Sequence, residues 1–281
     1  MAFVIRAAKL VRLSIAAAAV FGFRAASAAA QEPVLPHDTF TLQSAAVGEA
    51  RRINVWTPPG YAANRTRYPV LYMPDGGVEE DFPHVVATVD SAVRAGEMRP
   101  VIVVGIENTQ RRRDMTGPTR VARDSTIAPR VGGSAAFRRF IERELMPEVR
   151  RRYRTTDETA VIGESLAGLF VVETFFLQPE LFDTYIALSP SLYWNAEELV
   201  RSAPGRLRAH RRLHAALYLS SAGDDIGPEA ARLAEAIRAN APRGLRWEYT
   251  PRPDLTHATI YRASAPRVLR QALPPRTARG R

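Results

Sequence analysis

The sequence predicts an α/β fold in a single domain, with a mostly parallel central sheet and helices on both faces. Short apolar runs, each ending in Gly, Pro, Asp or Ser, alternate along the chain with amphipathic stretches. Strands and helices in alternation build a parallel sheet that must be covered on both sides. Size points the same way: 281 residues, 46% of them hydrophobic, are enough for one sizeable core, and α/β proteins of this length commonly form one domain.

The first thirty residues stand apart. Arg6, Lys9 and Arg12 precede an apolar run over residues 13–23, and "RAASAAAQ" follows. That is the charged, apolar, small-residue order of a secretory signal. The run is well short of the ~20 residues that cross a bilayer as a helix. The reading is a signal peptide over residues 1–30, cleaved after Ala28 or Ala30, with an uncleaved anchor as the alternative. Arg24 is an irregularity in the cleavage region. A domain over 31–273 and a disordered tail over 274–281 follow, and no other segment is apolar enough to span a membrane.

Beyond the signal, "RRINVWTPP", "YPVLYMPDG", "PVIVVGIEN", "TAVIGES", "TYIALSPS", "AALYLSSAGDD" and "LRWEYTPRPD" read as strands with loops at their carboxyl ends. Helices are expected over residues 134–153, 166–177, 228–240 and 265–273. In the first of these, Phe137, Phe140, Ile141, Leu145 and Val149 recur at helical spacing, and Ser134 is placed to cap the start. Pro147 should kink or break it near its end. Residues 106–133 are polar and without periodicity, which reads as a functional loop or lid.

Composition narrows the function classes. The chain has no cysteine, so it must be stable without disulfides, and cysteine is excluded as nucleophile or metal ligand. Its formal charge of +10 falls to +6 once Arg6, Lys9, Arg12 and Arg24 leave with the signal. Lys9 is the only lysine, a bias that reads first as codon composition. A basic surface also attracts anionic substrates or an anionic membrane face. The arginines are scattered and no binding motif accompanies them, which argues against nucleic acid.

The chemistry gathers at strand ends, where such sheets bind ligands. In "TAVIGESLAGLFVVETFF" an apolar strand, a tight Gly-x-Ser turn and an apolar helix set Ser165 as a nucleophile on a strained elbow. Ala167 stands where Gly-x-Ser-x-Gly has its second glycine, with Gly168 one residue later. A serine needs a base, and the base needs an orienting acid. His257 follows the last strand, giving the chain order Ser, acid, His of α/β-hydrolases. His37, His84 and His210 read as surface residues, and His214 as packing at a strand start.

"AGDDIGPEAARL" offers Asp225 as the acid, then Asp224, then Glu229; Glu229 is also placed to open the next helix. Oxyanion donors are expected from the amide of Leu166 and from the turn after "PVLYMPDGG", with Gly77 ahead of Gly76. Arg111, Arg112 and Arg113 either meet an anionic substrate or anchor their loop through Asp114.

These segments resemble the putative-esterase family of α/β-hydrolases, which includes feruloyl esterases, S-formylglutathione hydrolase, mycolyltransferases and siderophore esterases. The likeness runs from about Phe40 to Leu273 and is carried by "RRINVWTPPGY", "YPVLYMPDGG", "VVGIENTQRRRD", "GESLAGLF", "LFDTYIALSPSLYWN" and the late "TH". "SPSLYWN", "GIEN" and "RRRD" look most like the enterochelin and salmochelin esterase branch. Ala167 departs from that pattern, and "MTGP" carries an extra glycine.

The resemblance implies an α/β-hydrolase fold, Ser165 and His257 in catalytic roles, and backbone donors at Gly77 and Leu166. It also implies Tyr193 and Trp194 near the substrate cleft; from the arginine run, Arg113 is the candidate substrate-binding residue. The expected activity is cofactor-free and metal-free ester hydrolysis outside the cytoplasm, on siderophore trilactones or feruloyl-type aromatic esters. Acyl transfer by the same triad, and a catalytically degenerate binding protein, are the alternatives.

Overall fold

A computed structural model of the chain describes residues 33–210, 212–223 and 227–276. The expected signal over residues 1–30 lies outside the described residues, as do Asp224, Asp225 and the expected tail beyond Arg276.

One eight-stranded sheet organises the described chain, in the order β1-β2-β4-β3-β5-β6-β7-β8. Its strands are β1 (Asp38–Ser44), β2 (Glu49–Trp56), β3 (Tyr68–Pro74), β4 (Ile102–Ile106), β5 (Thr155–Glu164), β6 (Thr184–Leu188), β7 (Ala216–Ala222) and β8 (Arg246–Arg252). β2 runs antiparallel to both its neighbours, and β3 to β8 are parallel to one another. The helices are α1 (Phe82–Arg94), α2 (Arg111–Met115), α3 (Ala122–Ser125), α4 (Ser134–Phe140), α5 (Met146–Arg152), α6 (Ser165–Leu177), α7 (Trp194–Ala209), α8 (Gly227–Asn240) and α9 (His257–Ala272).

The core follows from strand alternation, since successive side chains point to opposite faces. In β3, Val70 and Tyr72 join the apolar layer of α4 to α8, while Leu71 and Met73 join the layer of α1 and α9. α6 is apolar on nearly every side and buried from Leu166 to Phe176, and its one charge, Glu173, is paired with Arg138 at 2.5 Å. It packs on β5 and β6, and so fixes where the serine at its first position sits.

Several expectations change. β1, α1 and α7 were not anticipated. α4 is followed by a π-helical turn (Ile141–Leu145), and α5 then begins with Pro147 in its first turn. Proline has no N–H and clashes with the carbonyl four residues back, so the helix widens before it rather than kinking after it. Gly133, not Ser134, caps α4, and no side chain bonds there. α9 begins at His257, eight residues before its expected start, and carries Pro266 inside it. Among the described residues no helix is long and apolar enough to cross a membrane.

The loop over residues 106–133 is fastened down rather than a free lid. It holds α2 and α3, Gly132 N donates to Thr116 Oγ1 at 2.9 Å, and Arg120 N donates to Asn195 Oδ1 at 2.9 Å.

Candidate active site

At the carboxyl end of β5, Glu164 is still extended (φ −118°, ψ 152°). Ser165 then turns into the left-handed region at φ 59° before α6 continues. A residue with a Cβ adopts this conformation only where its surroundings impose it. Here the imposition is close passage of helix against strand. A Cβ placed on Gly163 would lie 2.6 Å from the carbonyl carbon of Ala167 and 2.8 Å from its methyl. One on Gly168 would lie 3.1 Å from Pro190 Cα. The methyl of Ala167 therefore occupies room that Gly163 leaves, and the elbow closes with one alanine.

His257 opens α9 behind Thr256, which forms a capping box with Thr259. This fixes the end of the β8–α9 turn and delivers the imidazole to the serine. His257 Nε2 lies 2.9 Å from Ser165 Oγ. The same nitrogen lies 3.2 Å from Glu164 Oε1. Ser191 adds a second hydroxyl 3.4 Å from Ser165 Oγ, and its amide donates to the Ser165 carbonyl at 3.0 Å.

The acid loop leaves β7 beside the histidine turn. Gly223 N donates to Leu255 O at 2.9 Å, and a Cβ on Gly223 would lie 2.9 Å from Pro253 Cα. Asp224 and Asp225 come next in the chain, outside the described residues. Glu229 sits in the first turn of α8, where Arg232 donates to it at 3.0 Å; it is placed there as a helix-opening acid.

The amide of Leu166 lies in the first turn of α6, where no helical carbonyl takes it. The glycine turn differs from expectation. Gly76 N donates to Ile106 O at 2.9 Å, and Gly77 N donates to Glu80 Oε2 at 2.7 Å. Gly77 is thus no open donor in this structure, because a carboxylate already holds its N–H. Burial raises the Glu80 carboxyl above its usual range.

Beside it, Asp75, itself left-handed at φ 56°, accepts Arg111 through both oxygens, at 2.6 and 2.8 Å. Burial pushes Asp81 up to about 6, with Asp75 adding to the shift.

Arg113 resolves the question the arginine run left open. Its Nη2 donates to Glu49 at 2.7 Å and its Nε to Asp114 at 2.6 Å. Asp114 in turn meets the buried Arg51, which lies 5.1 Å from the Phe137 ring centre. These partners hold the Arg113 guanidinium in its charged form and bring the Glu49 carboxyl down to about 2. Arg113 thus anchors its loop through Glu49 and Asp114. Arg112 is exposed and donates to Ile127 O at 2.6 Å.

Trp194 likewise belongs to the core: it is buried and its indole N–H donates to Gly117 O at 2.9 Å. Of the expected cleft pair only Tyr193 is exposed. His84 is not a surface residue but buried, edge-on to Tyr261. His37 is half-buried against Phe82, and His214 is exposed.

Glu164, Ser191 and Glu80 were not anticipated as site residues. The signal for Glu164 was in plain view, as the middle letter of "GES"; for Ser191 and Glu80 only the folded chain supplies one.

With the geometry in place, the comparisons with known proteins agree. Residues 44–231, about two thirds of the chain, match the family described as putative esterase. The chain belongs to that family. It is accordingly a carboxylic ester hydrolase, and its sheet order is that of the α/β-hydrolase fold.

This esterase is 29% identical over 247 residues to the ferri-bacillibactin esterase BesA of Bacillus subtilis (strain 168), covering 78% of this chain and 82% of that one. It superposes on an IroE-like serine hydrolase from Shewanella oneidensis with a TM-score of 0.78 and 24% identity, over 84% of this chain and 79% of that chain. The siderophore hydrolase EstB from Aspergillus nidulans gives a TM-score of 0.72 and 21% identity, over 86% of this chain and 96% of that chain. At these identities the two solved structures speak to the fold.

Proposed function

We propose that this esterase is exported and hydrolyses the ester bonds of siderophores through a Ser165–His257–acid triad, with Asp225 as the acid and Asp224 as its alternative. One observation carries the mechanism: His257 Nε2 stands 2.9 Å from the hydroxyl of a serine held at φ 59° on the elbow. The substrate class rests on the likeness to the ferri-bacillibactin esterase, which spans most of both chains. Export rests on the charged, apolar, small-residue order of residues 1–30.

Ser165 Oγ attacks the ester carbonyl carbon while His257 Nε2 takes its proton. The carbonyl oxygen becomes an oxyanion facing the Leu166 amide at the α6 N-terminus. A second donor comes from the turn after β3, and Gly77 fills that role once Glu80 releases its N–H. The tetrahedral adduct collapses, the alkoxide leaves with the proton from Nε2, and water resolves the acyl-enzyme by the same steps.

The test is labelling with a fluorophosphonate probe, followed by turnover of simple aromatic, feruloyl and ferric trilactone esters. Wild type should label and cleave trilactones, while Ser165→Ala and His257→Ala should lose about 10⁴-fold or more in turnover. Equal labelling of Ser165→Ala would sink the mechanism. Aromatic esters turned over with trilactones untouched would sink the substrate class.

A further inference from the structure

The imidazole of His257 has two neighbours at one nitrogen. Nε2 faces Ser165 Oγ at 2.9 Å and Glu164 Oε1 at 3.2 Å. A Ser-His-acid mechanism accounts for the first contact and for an acid at the other ring nitrogen; it has no place for a carboxylate at Nε2. From these distances we infer that Glu164 is a further catalytic-site residue, a second carboxylate that stabilises His257 in the protonated form it takes during the reaction. The inference rests on the serine-esterase reading above.

At rest, the lone pair of Nε2 accepts from the serine hydroxyl, and Glu164 gains little from a neutral ring. As the Oγ–carbon bond forms and the carbonyl π electrons move to oxygen, the Oγ proton passes to Nε2. The imidazolium then has an N–H directed between the leaving oxygen and Glu164. A carboxylate 3.2 Å away attracts that cation and accepts from its N–H. The contact is stronger in the transition state than in the ground state, which is the condition for accelerating the step. When the ester carbon–oxygen bond breaks, the proton goes to the leaving oxygen and the ring is neutral again.

The setting calls for such a partner. His257 is the first residue of α9, where the exposed amides of a helix N-terminus disfavour a cation. Glu164, the last residue of β5, places its carboxylate 3.2 Å from Nε2. Other charges face the pair from the packed elements. Arg111 of α2 attracts Glu164, and Tyr261 of α9 lies within reach of Glu164, Asp75 and Asp81. Arg262 of α9 acts on Asp81. Asp224 and Asp225 lie outside the described residues. Of these groups it is Glu164 that lies within ion-pair distance of Nε2, at 3.2 Å, and its substitution tests that contact.

The sign is definite. A carboxylate beside the imidazolium raises the pH at which the free enzyme loses that proton, so removing it shifts the acid limb of kcat/KM to lower pH. The experiment measures kcat/KM from pH 5 to 9 on a simple aromatic ester for wild type, Glu164→Gln and Glu164→Asp, with each variant first shown folded by its thermal transition. For Glu164→Gln the plateau should fall about 10- to 100-fold and the acid limb should move down by about one pH unit.

Glu164→Asp keeps the charge but withdraws it by one methylene, and its limb should move less in the same direction. It carries the test alone if the Gln variant does not fold. A limb that superimposes on wild type, whatever the plateau does, reduces Glu164 to a packing residue and overturns the inference. Labelling of Ser165 in wild type separates this failure from that of the underlying mechanism: a wild type that takes no probe defeats both, whereas one that labels with an unmoved limb defeats Glu164 alone.

Discussion

Gly163 and Ala167 face each other across the serine elbow so closely that only one of them has room for a methyl group. A Cβ on Gly163 would lie 2.8 Å from the Cβ of Ala167 and 2.7 Å from its carbonyl oxygen. Gly163→Ala must therefore push α6 off β5 and move Ser165 away from His257. Turnover should fall by more than 10²-fold, as small misplacements at a reacting centre do, with a thermal transition several degrees lower. Ala167→Gly should keep activity within about threefold and cost about 1 kcal/mol, the ordinary penalty for glycine in a helix. Activity in Gly163→Ala equal to wild type would show that the elbow has slack.

Arg113 is tied to Glu49 and Asp114, and its value is mechanical. Arg113→Ala removes ion pairs whose partners are mostly buried and leaves Glu49 without this guanidinium. Allowing for the solvent that reaches Glu49, the loss should be about 1–2 kcal/mol in a urea unfolding curve. KM for anionic esters should not change. A KM rising tenfold with the unfolding midpoint unmoved would return Arg113 to the substrate.

These two residues mark how far the sequence could be read. The elbow was legible because its signals are local: an apolar strand, Gly-x-Ser and an apolar helix within eighteen residues. The inner parallel strands β3, β4, β6 and β7 were legible because their runs are buried on both faces. β1 was not, since its residues alternate exposed and half-buried at the sheet edge. α7 hides behind a left-handed turn at Asn195, Ala196 and Glu197 and an internal Pro204. The start of α9 hides behind Pro266. The partners of Arg113 and Trp194 were not legible because Glu49 and Gly117 lie 64 and 77 residues away in the chain. Residue type says what a side chain can bond; only the fold says what it meets.

Trp194 gives a third test. Its indole N–H holds the carbonyl of Gly117 and so joins the start of α7 to the long loop before α4. Trp194→Phe fills most of the ring's volume but leaves that carbonyl unpaired, at a cost of about 1–3 kcal/mol. The urea midpoint should fall while the slope, which reports the surface exposed on unfolding, stays constant. Retention of the wild-type midpoint would mean that water replaces the indole at no cost.

Asp81 predicts how stability varies with pH. Its carboxyl is pushed up to about 6, mainly by burial, against an ordinary value of ~3.9. The folded chain therefore holds this proton more tightly than the unfolded chain does. The stability it contributes is fully present below pH ~3.9 and is lost as pH rises through about 6. Asp81→Asn supplies a neutral side chain at every pH and escapes that loss. Asp81 is the N-cap of α1 but its side chain makes no capping bond, so asparagine forfeits none. The variant should match wild type near pH 4 and exceed it at pH 7.5 by up to about 2–3 kcal/mol, the free energy of a two-unit shift. Urea unfolding at the two pH values reads the difference directly. A variant equally destabilised at both would show that Asp81 is ionised in the folded chain and needed in that form.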